Sequence, residues 1–99
     1  MPSDSGTGDV PRHEPESHRF TLSIDGALAV LDYRVSDATT LEYHHTYVPR
    51  ELRGRGIASR LVAYALRYAL DNRLKVIPAC AFVAAFIRRN PEYAAVLGG

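Results

Sequence analysis

Long apolar runs are missing from this 99-residue chain. No stretch approaches the ~20 residues that a membrane-spanning helix requires, so no membrane partner is expected. The start of the chain carries no apolar segment of the kind that marks a secretory signal. Cysteine is nearly absent as well. A single Cys80 cannot form an internal disulfide, which fits a reducing compartment and an expected cytoplasmic location. A large charge surplus is also lacking, since the formal net charge is only +1. A nucleic-acid partner calls for a broad basic surface interleaved with stacking aromatics, and none is expected here. The length allows one domain, and 46% hydrophobic with 23% charged residues is ordinary for a globular chain.

The small net charge hides an asymmetry. In residues 1–19, Asp4, Asp9, Glu14 and Glu16 face only Arg12 and Arg19, leaving −2; the remainder therefore carries +3. That surplus is nearly all arginine and suits a compact polyanion. Residues 1–18 are rich in Pro, Ser, Gly and acid and poor in large apolar side chains. Burial there cannot offset the entropy of ordering, so the segment reads as a disordered tail preceding a domain at 19–97. His13 and His18 fall in this tail and read as solvated side chains; no metal site is expected.

Phe20, Leu22 and Ile24 alternate with polar residues, the period-two mark of a half-buried strand. Asp25-Gly26 is a hairpin turn signal. A second strand runs from Ala27 to Val35, apolar on both faces and therefore expected to be central or covered. A third spans Thr40 to Val48, with Leu41, Tyr43, His45 and Tyr47 on one face and His44 on the other. Short connections predict an antiparallel meander. From Ile57 to Leu70 the apolar residues recur at helical spacing, with Tyr64 and Tyr68 on the surface side and Asn72 as the stop. Leu74–Ile77 is a short strand ended by Pro78. A right-handed crossover sets it parallel to the strand ending at Val48. Ala81–Arg89 is a second helix, and Glu92–Leu97 one further helical turn. The whole is an α+β fold.

The segment His44–Arg60 organises the rest. Pro49 ends a strand, Gly54 and Gly56 permit positive φ, and a helix begins at Ile57. Its first N–H groups have no intrahelical partner, and with Arg50, Arg53, Arg55 and Arg60 they favour a phosphate or pyrophosphate. A purely structural turn is the competing reading. The turn is no P-loop, since the lysine and spacing are absent. It is a poor dinucleotide fingerprint too, with Ser59 where a third glycine belongs.

Arg53-Gly54-Arg55-Gly56-Ile57-Ala58 matches the Arg/Gln-x-x-Gly-x-Gly/Ala signature of the GNAT superfamily of N-acetyltransferases. The agreement extends over His45-Thr46-Tyr47-Val48-Pro49, Val76-Ile77-Pro78-Ala79-Cys80 and Arg89-Asn90-Pro91. The chain resembles the small, single-domain NATD-type (also Yjd-type) GNAT-like group over about residues 19–97. The resemblance implies a minimal acyl-CoA N-acyltransferase fold: a mostly antiparallel sheet of about four strands with a parallel splayed pair, and two main helices. It implies acetyl-CoA as acetyl donor, lying between the strands that end at Val48 and Ile77. The pyrophosphate would meet the main chain from Arg53 through Gly54, Arg55, Gly56 and Ile57 to Ala58. Tyr47 and Val48 would pair with the pantetheine arm, and Arg50, Arg53 and Arg55 could add side-chain contacts. The acceptor would be an amine of a small molecule or a protein, and the protein a monomer or weak homodimer.

Acetyl transfer needs a neutral amine, a polarised thioester and a proton for the leaving thiolate. His45 and Cys80 stand near the ends of the two flanking strands. An imidazole can act as base at neutral pH. A thiol at a helix start can be acetylated or serve as acid, and in the resembled group this cysteine is the proposed catalytic residue. Both also have plain packing readings. A non-catalytic acetyl-CoA-binding or CoA-binding module is the alternative function, since the acceptor-site elements of larger GNAT proteins are missing.

Overall fold

The computed structural model describes residues 10–98. Five strands form one sheet in the order β1-β2-β3-β4-β5. They are β1 (Arg12–Glu14), β2 (Arg19–Ile24), β3 (Ala27–Asp37), β4 (Thr40–Tyr47) and β5 (Lys75–Ile77). The first four pair antiparallel in sequence order. β5 joins β4 in parallel, as the crossover rule requires of a strand–helix–strand unit. Helix α1 (Ile57–Asp71) makes that crossover, and α2 (Ala81–Arg89) follows β5. A 3-10 segment, Pro91–Leu97, ends the described chain.

Alternation sets one face of the sheet toward the helices. Phe20, Leu22, Ala29 and Leu31 are fully buried there against Leu61, Val62, Ala65 and Leu66 of α1. Val83, Phe86 and Ile87 of α2 and Val96 of the last segment join the same cluster. The opposite face stays open. β3 is central, as expected, but it is covered on one side only: Leu28 is 39% exposed while Ala29 beside it is fully buried. The reason is that all the helical apolar surface is spent on a single face.

Tyr43 ties the layers together. Its hydroxyl donates to the Ala65 carbonyl of α1 at 2.6 Å in the buried core. Burial, and then the neighbouring Tyr33 and Tyr68, push its pKa far up, so it remains a donor. Such a bond contributes about 1 kcal/mol, and leaving the carbonyl contact unmade in the core would cost at least as much. Tyr64 and Tyr68, expected on the helix surface, are half-buried edge-on to Phe20, with ring centroids 6.0 and 5.6 Å away.

The N-terminal strand departs from expectation. Residues 1–9 of the expected tail lie outside the described residues, but 12–14 pair with β2 and Pro15–Ser17 makes a 3-10 turn. Apolar content could not announce this strand, because polar side chains hold it. The His13 ring stacks on Phe20 at 4.5 Å, meets Tyr68 at 4.4 Å, and lies in hydrogen-bond contact with the Tyr33 hydroxyl at 2.7 Å. Glu14 takes a 2.8 Å ion pair from Arg19 and a bond from Thr21.

Burial lowers the His13 pKa, so the unfolded chain takes up the proton first as pH falls. The stabilisation His13 gives is complete above the ordinary histidine value of about 6.5 and is lost as pH drops through its lower folded value. The Glu14 carboxyl, held below its usual range chiefly by the Arg19 hydrogen bond, titrates outside that window. Urea unfolding should therefore show a larger loss of stability between roughly pH 7.5 and 5.5 for the wild type than for His13→Gln. Equal losses would show that His13 does not hold β1 in place.

Candidate active site

One inserted residue decides which side chains face the site. Tyr33 pairs with Tyr43, but Asp32 pairs with His45, leaving His44 as the extra residue of a β-bulge. Alternation changes phase there. Thr46 lies opposite the buried Leu31 and so faces the helices; His45 lies opposite Asp32, and Tyr47 opposite Val30, on the open face. The common face expected for Leu41, Tyr43, His45 and Tyr47 therefore holds for the first two alone. His45 and Tyr47 are exposed, and Val48 packs against the core. A strict period of two has no means of registering a bulge.

β4 and β5 stay paired through Glu42↔Ile77. One further rung follows, the Cys80 N–H donating to the Tyr43 carbonyl at 3.0 Å. Pro78 ends β5 and the chain turns into α2, while β4 runs on to Tyr47, so the two strands part.

The turn after β4 lies at this divergence. Buried Leu52 anchors a short 3-10 segment, Arg50–Leu52. Gly54 and Gly56 take φ of +82° and +74°, the left-handed region that favours glycine. Neither glycine is crowded, so backbone conformation rather than space demands it. Gly56 is the N-cap of α1, and the first i→i−4 bond is Arg60 N–H to the Gly56 carbonyl at 3.1 Å. The N–H groups of Ile57, Ala58 and Ser59 precede that bond and need partners from outside the helix.

A cleft of about 280 Å³ opens beside these donors, between the turn, the end of β4 and the start of α2. Of the residues expected to hold a cofactor, Val48, Arg53, Gly54, Gly56, Ile57 and Ala58 line it. Tyr47, Arg50 and Arg55 do not. Arg53 donates from Nε to the Val48 carbonyl at 3.0 Å, which pins the turn to the strand end. Arg55 turns back to the Glu51 carbonyl and to Asp25 of the β2–β3 turn, at 3.3 and 3.8 Å. Leu52, Ser59 and Phe82 also line the cleft and were not among the residues expected to hold a cofactor. Ser59 extends the motif by one residue; Phe82 comes from a distant segment and had no local signal.

Cys80 sits half-buried at the N-cap of α2. Its Sγ lies 3.5 Å from the Thr46 hydroxyl, a contact that spans the two diverging strands. Val48 and Phe82, each two residues further along, line the cleft; Thr46 and Cys80 themselves do not. Burial pushes the thiol up, but Thr46 and the N–H groups of Val83, Phe82 and Thr46 together outweigh it, and the net direction is down. The Cys80 side chain closes no capping hydrogen bond, so the first-turn donors act on sulfur as dipoles at longer range. The site thus combines a helix start whose first N–H groups lack intrahelical partners, an apolar wall and a thiol eased toward ionisation. His45 is on the other side of the sheet. Among the described residues no group of three or more His, Cys, Asp or Glu is placed to hold a metal, and no helix is long and apolar enough to cross a membrane.

A family model described as GCN5-related N-acetyl-transferase matches residues 19–96. The human Protein NATD1 is 32% identical over 81 residues, covering 80% of this chain and 72% of that protein. Protein NATD1 of Xenopus tropicalis is 31% identical over 81 residues, covering 80% and 74%. Among solved structures, a GCN5-like protein from Staphylococcus aureus aligns with a TM-score of 0.71 at 27% identity, covering 91% of this chain and 88% of that one.

The Cys80 environment carries its own test. Alkylation rate against pH should give a thiol midpoint below that of a free cysteine, and Thr46→Val should move it upward. A midpoint that Thr46→Val leaves unchanged would show that the 3.5 Å contact has no electrostatic effect on sulfur.

Proposed function

Because the chain belongs to the GCN5-related N-acetyltransferase family, we propose that it transfers the acetyl group of acetyl-CoA to an amine, with Cys80 as proton carrier. The observation that carries this reading is the Thr46–Cys80 contact, two residues before Val48 and Phe82 of a cleft that the start of α1 also lines. Acetyl-CoA supplies an acyl group activated as a thioester.

The chain's own residues do the rest. The N–H groups of Ile57, Ala58 and Ser59, at the positive end of α1, suit a diphosphate. Gly54 and Gly56 let that ligand approach the main chain without a side chain in the way. Val48, Leu52, Ile57 and Phe82 offer apolar surface to the arm beyond it. Past Tyr43, no ladder pair joins β4 to β5, so backbone groups on that edge suit the amides of a pantetheine arm. Thr46 orients the Cys80 thiol. As the new N–C bond forms and the C–S bond breaks, Cys80 gives its proton to the departing sulfur and recovers one from the amine nitrogen. The net movement is one proton from nitrogen to sulfur, and sulfur leaves as a thiol. A side chain in this role contributes about 100-fold or more to rate.

Cys80→Ala should lower acetyl transfer to a mixed panel of amines about 100-fold while leaving CoA affinity unchanged. Undiminished transfer would reduce Cys80 to a packing residue. CoA binding without transfer by the wild type would favour a non-catalytic CoA-binding module instead.

A further inference from the structure

The β2–β3 hairpin turns beside the glycine turn, and one ion pair joins the two. Ile24 pairs with Ala27, so Asp25 and Gly26 make a two-residue turn. Both take positive φ, 53° and 80°, as a type I′ turn requires. The Asp25 carboxylate, 81% exposed, lies 3.8 Å from Nη1 of Arg55. Nη2 of the same guanidinium donates to the Glu51 carbonyl at 3.3 Å.

The hairpin does not need that negative charge. Asparagine and aspartate both tolerate the left-handed conformation, and Asn-Gly suits a type I′ turn as well as Asp-Gly does. The carboxylate also runs against its surroundings. It stands next to a turn whose helix dipole, first N–H groups and arginines favour an anion. Arg53 is engaged by the Val48 carbonyl at 3.0 Å. Arg55 follows Gly54 and precedes Gly56, in the middle of the turn, yet it does not line the cleft. Its guanidinium is held by Asp25, on a different element, and by Glu51.

We propose that Asp25 sets how tightly the glycine turn holds a phosphorylated ligand, by competing with that ligand for Arg55. The proposal rests on the acetyltransferase reading above, in which CoA supplies the phosphoryl groups. The main chain of Arg55 belongs to the turn, so rotation about its side-chain bonds is enough to swing the guanidinium away from Asp25. Guanidinium binds carboxylate and phosphoryl oxygens with the same planar fork of donors, which makes the two groups rivals. An ion pair between exposed side chains is weak, so a phosphoryl group can displace the carboxylate at a small cost. Asp25 is therefore a built-in counter-ion that lowers affinity. A merely structural tether between hairpin and turn would do the opposite, because its loss would loosen the turn and weaken binding.

The test is calorimetric titration of the full chain with CoA, in about 0.15 M salt so that repulsion across open solvent is screened. Asp25→Asn keeps the turn and removes the charge, so CoA affinity should rise about threefold, the scale of one exposed ion pair. Arg55→Gln should lower CoA affinity, also about threefold. In the Arg55→Gln background, Asp25→Asn should change nothing further, because the two residues act through one contact. Unchanged or weaker CoA binding by Asp25→Asn would overturn the proposal. An equal gain with and without Arg55 would overturn it too, since the carboxylate would then repel the ligand directly instead of holding the guanidinium. Either result, with CoA still bound by the wild type, leaves the acetyltransferase reading standing. A folded wild type that binds no CoA would overturn that reading and this proposal with it.

Discussion

Tyr43 is the residue on which the arrangement depends. Its hydroxyl fixes α1 to the sheet, and its carbonyl takes the Cys80 N–H as the last rung between β4 and β5. Below it the two strands are a paired parallel ladder; above it they separate. Immediately after it comes the inserted His44. One residue, through its hydroxyl and its carbonyl, therefore sets the height of α1 and so of the glycine turn, ties down Cys80, and marks where the edge of β4 becomes free. The donors, the apolar wall and Cys80 converge because all three are referred to this one position.

The bulge gives the end of β4 two chemically different sides. Thr46 and Val48 look toward the helices, where the cleft and the thiol lie, while His45 and Tyr47 look outward over the open sheet. A regular strand would have placed His45 on the helix side, in line with Tyr43. The shift brings the cleft side and the open side of the sheet within a span of four residues.

Much of the architecture was legible in the sequence because its signals are local. Alternation revealed β2 to β4, helical spacing revealed α1, and Pro78 closed β5. Gly54, Gly56 and the helix onset marked the turn, and six of the nine residues expected around a cofactor line the cleft. What escaped was non-local or polar. β1 is held by His13 among aromatic rings brought from three other elements, and three polar residues carry no strand signal. The bulge is a property of pairing between two strands, invisible in either alone. Thr46 and Phe82 gained their roles from segments more than thirty residues apart. Arg55 looked like a phosphate ligand by position, yet the fold turns it to Asp25.

In the proposed function, the turn at the start of α1 would hold the diphosphate of CoA. Calorimetric titration of the wild type and of Gly56→Ala with CoA, using ATP as a control anion, tests it most directly. Forcing a side chain into the left-handed conformation at position 56 costs about 1–2 kcal/mol, so the turn should open and CoA affinity should fall about tenfold. The wild type should bind CoA and discriminate against ATP. Absence of CoA binding by a folded wild type, or binding that Gly56→Ala leaves untouched, would contradict the account.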